Sequence, residues 1–202
     1  ETTVEGVAST AIRLTQRLLS FDIGAVLLLD DARGELAPQP DSVIGLPIGA
    51  HDLLRLHDRA ETSCGRGELL HYERALLRAG ATGPYNPLVI DQQLESLAAM
   101  PLLAGDHALG EIVVGAHSDR AFSHDDLQLL TIIAAQIASA LARARLVAAT
   151  DQDLQRRVEQ LTSLTHVSRE LNGSLERERI LRLVHAEAVR ATRADRGTIT
   201  LL

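Results

Sequence analysis

The sequence predicts an α+β protein that ends in a long coiled-coil helix, and three stretches carry that expectation. Residues 122–171, FSHDDLQLLTIIAAQIASALARARLVAATDQDLQRRVEQLTSLTHVSREL, contain neither proline nor glycine, so nothing in them is a strong helix breaker. Ser96–Ala104 (SLAAMPLLA) and Leu109–Gly115 (LGEIVVG) are two apolar runs joined by Gly105-Asp106-His107, the pattern of a hairpin. Residues 3–20 have helical spacing and lead into AVLLLD at 25–30, which reads as a buried strand.

In chain order, the first helix places apolar residues at Val4, Val7, Ala11, Leu14 and Leu18, three and four apart. Two such seams from each of two protomers can pack as a four-helix bundle. Phe21–Gly24 breaks the pattern, Asp31-Ala32-Arg33-Gly34 forms a turn, and a short second strand is expected near Glu35–Ala37. Pro38, Pro40 and Pro47 punctuate the next stretch. Short helices are predicted at His51–Arg59 and Glu68–Ala79, the second stopped by Gly80. Residues 81–86 (ATGPYN) read as loop and Pro87–Asp91 as a short strand. Pro101 inside the first hairpin run implies an edge position or a bulge.

Ser123 is a natural N-cap for the long helix, with Asp125 and Asp126 in the first turn, where the helix dipole favours negative charge. Apolar residues recur at Leu127, Leu130, Ala134, Ile137, Leu141, Ala144 and Ala148, and resume in a new phase at Leu154, Val158 and Leu161. Fifty residues at 1.5 Å each make a rod of roughly 70 Å, which no compact domain of this size encloses. The helix is therefore expected to leave its domain as a parallel coiled coil. Asn172-Gly173-Ser174 is expected to interrupt it, with Ser174 capping a further helix to about Thr192 and GTITLL (197–202) as a strand. Residues 194–201 (ADRGTITL) align with 21–28 (FDIGAVLL) at a constant offset of 173. The expected layout is a first domain at 1–148, a linker helix at 149–172, and the start of a second like domain at 173–202. With Glu1 first and an apolar run last, the chain reads as a piece of a longer protein.

Composition narrows the function. A net charge of −7 and a pI near 5.6 argue against nucleic acid, which calls for a concentrated basic face. The four aromatics, Phe21, Tyr72, Tyr85 and Phe122, are too few for a base-stacking platform. The longest apolar stretch, Thr131–Ala142, contains Gln136 and Ser139 and is too short to cross a membrane. One cysteine, Cys64, excludes an internal disulfide and fits a reducing, cytoplasmic setting.

Candidate chemistry is sparse. His57, Cys64 and His71 recur at intervals of seven with His51 upstream, a zinc or haem ligand set by type, but Gly65 and Gly67 break any helix that would align them. His166-Val167-Ser168-Arg169-Glu170-Leu171 lacks the acid and Thr-Pro of a kinase phosphoacceptor box and reads as a solvated helix position. Asp30-Asp31 and Asp125-Asp126 are explained by turn and cap roles. No metal, cofactor or catalytic group is implied.

Residues 96–103 (SLAAMPLL), 109–114 (LGEIVV), Phe122-Ser123 with 126–130 (DLQLL), and 135–141 (AQIASAL) together resemble the GAF domain family, whose strand pair and closing helix carry these motifs. Asp22–Asp30 is similar to its first strand and Leu76–Asp91, more loosely, to its middle segment. The resemblance covers about residues 3–148 and implies an antiparallel sheet of five or six strands, with the terminal helices on one face and a ligand pocket on the other. It also implies dimerisation through the terminal helices, upstream of outputs such as histidine kinases, cyclases, phosphatases or transcription regulators. The residues assigned to that interface are Val4, Val7, Leu14, Leu18, Leu130, Ile137, Leu141, Leu154, Val158 and Leu161.

Motifs of the family's specialised members are missing. Cys64 is followed by Gly65, not by the histidine of bilin-binding members. Asn86-Pro87 replaces the Asn-Lys of cyclic-nucleotide sites, and one thiol cannot run the cycle of the methionine-sulfoxide reductases. The candidate ligand contacts are His71, Tyr72, Arg78 and Tyr85, each of which also fits an ordinary core or surface role. The expected function is a homodimeric, non-catalytic sensor of a small ligand in a signalling protein; the alternative is a structural dimerisation module with no ligand.

Overall fold

The computed structural model describes residues 3–30, 32–74, 80, 82–117, 122–192 and 198; the side chains of Arg59, 166–168 and 170–176 are not among those described. The chain divides into two compact units, Glu1–Ala148 and Ala149–Leu202. Within the first, helix α1 (Val4–Leu18) precedes strands β1 (Ile23–Asp30) and β2 (Glu35–Ile44). A 3-10 turn at Ile48–Leu54 follows, then another at Arg59–Glu61, helix α2 (Ser63–Arg66), strand β3 (Leu70–Glu73), a 3-10 turn at Gly83–Tyr85 and helix α3 (Asn86–Gln92). Strands β4 (Ser96–Ala104) and β5 (His107–Ala116) form the hairpin, and helix α4 runs from His124 to Thr192. The sheet is antiparallel in the order β2-β1-β5-β4-β3, so the strand count and the flanking helices agree with the predicted class.

Both faces of the sheet are apolar. Val26, Leu28, Ala98, Leu102, Ile112 and Val114 face one core with Ala8 and Ile12 of α1 and Leu130, Ala134, Ala138 and Leu141 of α4. Ile23, Ala25, Leu27, Leu97, Ala99 and Val113 face the other, covered by Leu54, Cys64, Tyr85, Leu88 and Val89. Alternation along a pleated strand sorts successive residues into these two layers. At Gly110 β5 lies close against β1: a Cβ there would stand 2.1 Å from the Leu27 carbonyl oxygen, so a side chain cannot be accommodated without moving a strand.

Several local expectations are revised. β2 runs through Pro38 and Pro40, which an edge strand tolerates because its outer side needs no ladder donor. The helix expected at Glu68–Ala79 begins instead as β3, paired to β4 from Leu70↔Ala99 to Glu73↔Ser96; residues 75–79 lie outside those described. Pro101 falls beyond the end of β3, on a side of β4 without a neighbouring strand, as its ring requires. The strand expected at Pro87–Asp91 is α3. Proline suits its first turn, where no amide donor is needed, and Gln93 closes it in the left-handed conformation at φ 51°. His51–Arg59 is a 3-10 turn ending at Leu54, followed by a separate one.

The cap of α4 is as expected: the Asp126 N–H donates to Ser123 Oγ at 3.2 Å, and the Ser123 N–H donates to Asp126 Oδ2 at 3.0 Å. No interruption occurs at Asn172-Gly173-Ser174, which lie inside the helix; a single glycine costs a helix about 1 kcal/mol and does not break it. Within His124–Thr165 an 18-residue window reaches a mean hydropathy of 1.5, long and apolar enough by composition to cross a membrane, against the twelve-residue stretch expected above. In this fold the apolar stripe at its start packs on the sheet. The strand expected at 197–202 lies outside the described residues, apart from Thr198.

The same packing corrects part of the expected dimer seam. Leu130 and Leu141 are wholly buried and Ile137 nearly so, all within their own chain, so that stripe is intramolecular core. Helix α1 turns Ala8, Ala11, Ile12 and Thr15 inward and leaves Leu14 and Leu18 exposed, at 50% and 63%. In the second unit Leu154, Val158, Leu161 and Leu164 are exposed, as are Ile180, Leu183 and Val184.

Leu141→Ala should lower the unfolding free energy by about 2–5 kcal/mol, the cost of a core cavity, whatever the protein concentration. Urea titrations at two concentrations check this; a loss that vanishes on dilution would return Leu141 to an intermolecular seam.

Candidate functional site

Among the described residues Glu111 is the one charged side chain that is fully buried. It stands on β5 opposite Leu27 of β1 and Pro101 of β4, pointing into the covered face of the sheet. Three groups converge on its carboxyl. The Ser63 hydroxyl donates to Oε2 at 2.7 Å, the Cys64 amide donates to Oε2 at 3.1 Å, and the Tyr85 phenol donates to Oε1 at 3.0 Å. The Tyr85 oxygen in turn accepts the Ser63 amide at 3.1 Å.

Local structure explains how these donors arrive. Thr62 caps α2, its hydroxyl accepting from the Gly65 amide at 3.1 Å, and Gly67 ends the turn at φ 70°. A helix this short presents the Ser63 hydroxyl and the Cys64 amide side by side. Tyr85 closes the 3-10 turn before α3, and the Asn86 side chain, accepting from the Thr82 amide and donating to the Gly80 carbonyl, holds that corner. One carboxyl thus ties α2 and the Tyr85 turn to the sheet, beside the Leu36–Leu56 backbone bridge and the apolar packing of the same cover.

The hydrogen inventory fits the ionised form. Each of the three donors has a carboxylate oxygen and the Ser63 amide has the phenol oxygen, so an ionised carboxylate is met by a donor at both oxygens. Burial pushes the Glu111 carboxyl above its ordinary range, while the hydrogen bonds from Ser63, Cys64 and Tyr85 pull it back. The Tyr85 phenol is driven far upward, first by burial and then by the neighbouring carboxylate. Tyr72, half-buried, is also raised, chiefly by desolvation. No arginine or histidine among the described residues forms an ion pair with Glu111.

The structure divides the sequence-predicted contacts. Tyr72 and Tyr85 come together on the covered face with ring centres 6.2 Å apart. His71, one residue earlier on β3, faces the opposite core, its ring edge-on to Phe122 at 6.4 Å; strand alternation separates neighbours that the sequence places side by side. Its buried Nε2 has no hydrogen-bond partner among the described residues. Arg78 lies outside the described residues. The His57–Cys64–His71 spacing yields no common site: His57 is exposed and paired with Glu35 at 3.0 Å, and Cys64 is buried beside Glu111. Glu111 and Ser63 were not anticipated. The available signal was an acid inside the apolar run LGEIVVG.

Residues 3–141 match the GAF domain family. No curated protein sequence matches the chain. Among solved structures, the chain is similar to a domain attributed to a two-component sensor histidine kinase of Sinorhizobium meliloti, at 20% identity and a TM-score of 0.60, covering 73% of this chain and 96% of that one. It is also similar to the GAF domain of a phosphoenolpyruvate-protein phosphotransferase of Coxiella burnetii, at 20% identity and a TM-score of 0.59, covering 73% and 87%. A third is the free methionine-R-sulfoxide reductase of Neisseria meningitidis with its substrate, at 14% identity and a TM-score of 0.58, covering 73% and 83%.

Because the folded state raises Glu111 above its ordinary value of 4.5, it favours the protonated form. The resulting stabilisation is present in full below that value and is lost as pH rises through the folded one, by at most about 1.4 kcal/mol per pH unit. Glu111→Gln removes this titration, so the stability of the variant relative to wild type should rise with pH over that window. Urea unfolding of both proteins from pH 4.5 to 8 checks it; parallel pH profiles would show that the carboxyl does not titrate differently on folding.

Proposed function

Because this chain belongs to the GAF domain family, the sensory domains of signalling proteins, we propose that it is a non-catalytic, cytoplasmic sensor. On this reading it binds a small ligand on the covered face of the sheet and passes its state, through helix α4 of a homodimer, to an output domain such as a histidine kinase. The observation that supports the ligand site best is the Glu111 cluster, where an apolar sheet face and its cover meet at a single polar group lined by Tyr72 and Tyr85. The lone Cys64, buried, leaves no second thiol for a sulfoxide-reducing cycle. A second reading, a dimerisation module without ligand, is favoured by the dense packing of the same face, where Leu27, Leu97 and Ala99 are wholly buried.

The homodimer reading rests on unpartnered apolar surface. A groove of about 360 Å³ between α1 and the start of α4 is lined by Val7, Ala11, Leu14, Gln136, Ile137 and Ala140. Leu18 and Ile132 are exposed on the same two helices at 63% and 62%. In the second unit, within the expected linker 149–172, Leu154, Val158 and Leu161 are exposed at four- and three-residue spacing. Residues 173–202 are proposed as the opening of a second GAF copy.

Leu14→Arg with Leu18→Arg should convert a micromolar dimer into a monomer in sedimentation velocity, with the circular dichroism spectrum unchanged. A wild-type monomer at that concentration would end the homodimer reading. Thermal shifts against a metabolite panel separate the ligand-binding reading from the purely structural one, which expects no stabilising compound.

A further inference from the structure

We propose that Glu111 is the ligand-recognising group of this domain and that it takes a small molecule bearing a protonated nitrogen (an ammonium, amidinium or guanidinium) on an apolar body. This rests on the sensory reading above and names the chemical class that reading leaves open.

Among the described residues every donor at the carboxylate comes from the cover: Ser63 and Cys64 from α2, Tyr85 from the turn before α3. None comes from the sheet that carries Glu111. Whatever enters between cover and sheet strips the carboxylate of all three at once and has to replace them. An occupant that only accepts hydrogen bonds leaves a buried carboxylate bare, which costs several kcal/mol. An anion meets a like charge as well. A neutral donor regains what the cover already provides. A cationic donor does more: the cover's bonds to an ionised acceptor are already charge-assisted, but a cation adds the attraction of a counter-charge that no arginine or histidine among the described residues supplies. The ionised carboxylate, held by three neutral donors, is an incomplete ion pair whose missing member is a cation.

The surroundings set the rest of the ligand. Around Glu111 the sheet contributes Leu27, Ala99 and Val113, all fully or almost fully buried, which suits an aromatic or branched aliphatic body. The rings of Tyr72 and Tyr85, 6.2 Å apart, add faces that attract a cation.

The chain provides its own reporter. It has no tryptophan and only two tyrosines, Tyr72 and Tyr85, so tyrosine emission comes from this site alone. A phenol that donates to a carboxylate is quenched, and displacing Tyr85 from Glu111 changes that emission. Benzamidine, benzamide and benzoate share one ring and differ in charge. With the whole chain, benzamidine should change the emission saturably and bind at least about tenfold more tightly than benzamide, with no saturation by benzoate. Glu111→Gln should erase that preference. Tyr85→Phe, which removes one competing cover donor and leaves Tyr72 to report, should tighten benzamidine binding severalfold. Equal binding of benzamide or benzoate, or a preference that survives Glu111→Gln, would overturn the cation assignment while leaving a ligand pocket in place. Failure of benzamidine to saturate both wild type and Tyr85→Phe would overturn it too, and a compound from the metabolite panel that still stabilises the domain would show that the sensory reading survives.

Discussion

A five-stranded sheet with apolar side chains on both faces cannot stand in water on either one, and the first unit of this protein is organised by that requirement. β1 and β5, two of its three inner strands, alternate large aliphatic residues between the faces, so two independent cores must be built. The chain solves the two sides differently. One is closed by helices α1 and α4 with an almost purely hydrocarbon contact. The other is closed by short turns and two short helices, and that is where the buried acid sits.

The acid is costly in such a place. Burial raises the Glu111 carboxyl, and only the convergence of the Ser63 hydroxyl, the Cys64 amide and the Tyr85 phenol makes its charge tolerable. A hydrocarbon side chain would close the same face with less penalty, as buried polar clusters often show when they are replaced. The cluster also joins α2 and the Tyr85 turn at one group, so both are bonded to the same point of the sheet. Strand β3 lies next to this arrangement, with Tyr72 on the cluster side and His71 against Phe122, just before α4. One short edge strand therefore touches both the covered face and the approach to the long helix.

Patterns with a local cause were legible in advance. The β4–β5 hairpin, the Ser123 cap and the apolar run of β1 follow from turn chemistry, side-chain capping and β-branched or aliphatic composition, each confined to a few residues. The segment 38–95 was less legible because its elements are short and mutually supported. α3 reads as a strand in sequence since five apolar-rich residues carry too little periodicity to choose, and only Pro87 in its first turn and the left-handed Gln93 at its end mark the helix. The heptad-like stripe of α4 was ambiguous for a different reason: the same three-and-four spacing serves a partner helix or the chain's own sheet. Of the proposed ligand contacts, the two tyrosines could be picked out by type, whereas Glu111 was hidden inside a strand that otherwise reads as core.

Residue order alone determined the element types with strong periodicity, the hairpin, and the start of the closing helix with its unbroken course to residue 171, since these depend on neighbours in sequence. Tertiary structure decided which side of each element is used: that Leu130 and Leu141 pack on the sheet, that Leu14 and Leu18 face outward, and that Glu111 meets Ser63 and Cys64 across almost fifty residues. The physical reason is that burial and charge compensation are properties of what surrounds a side chain, and those surroundings exist only once distant segments have closed over the sheet.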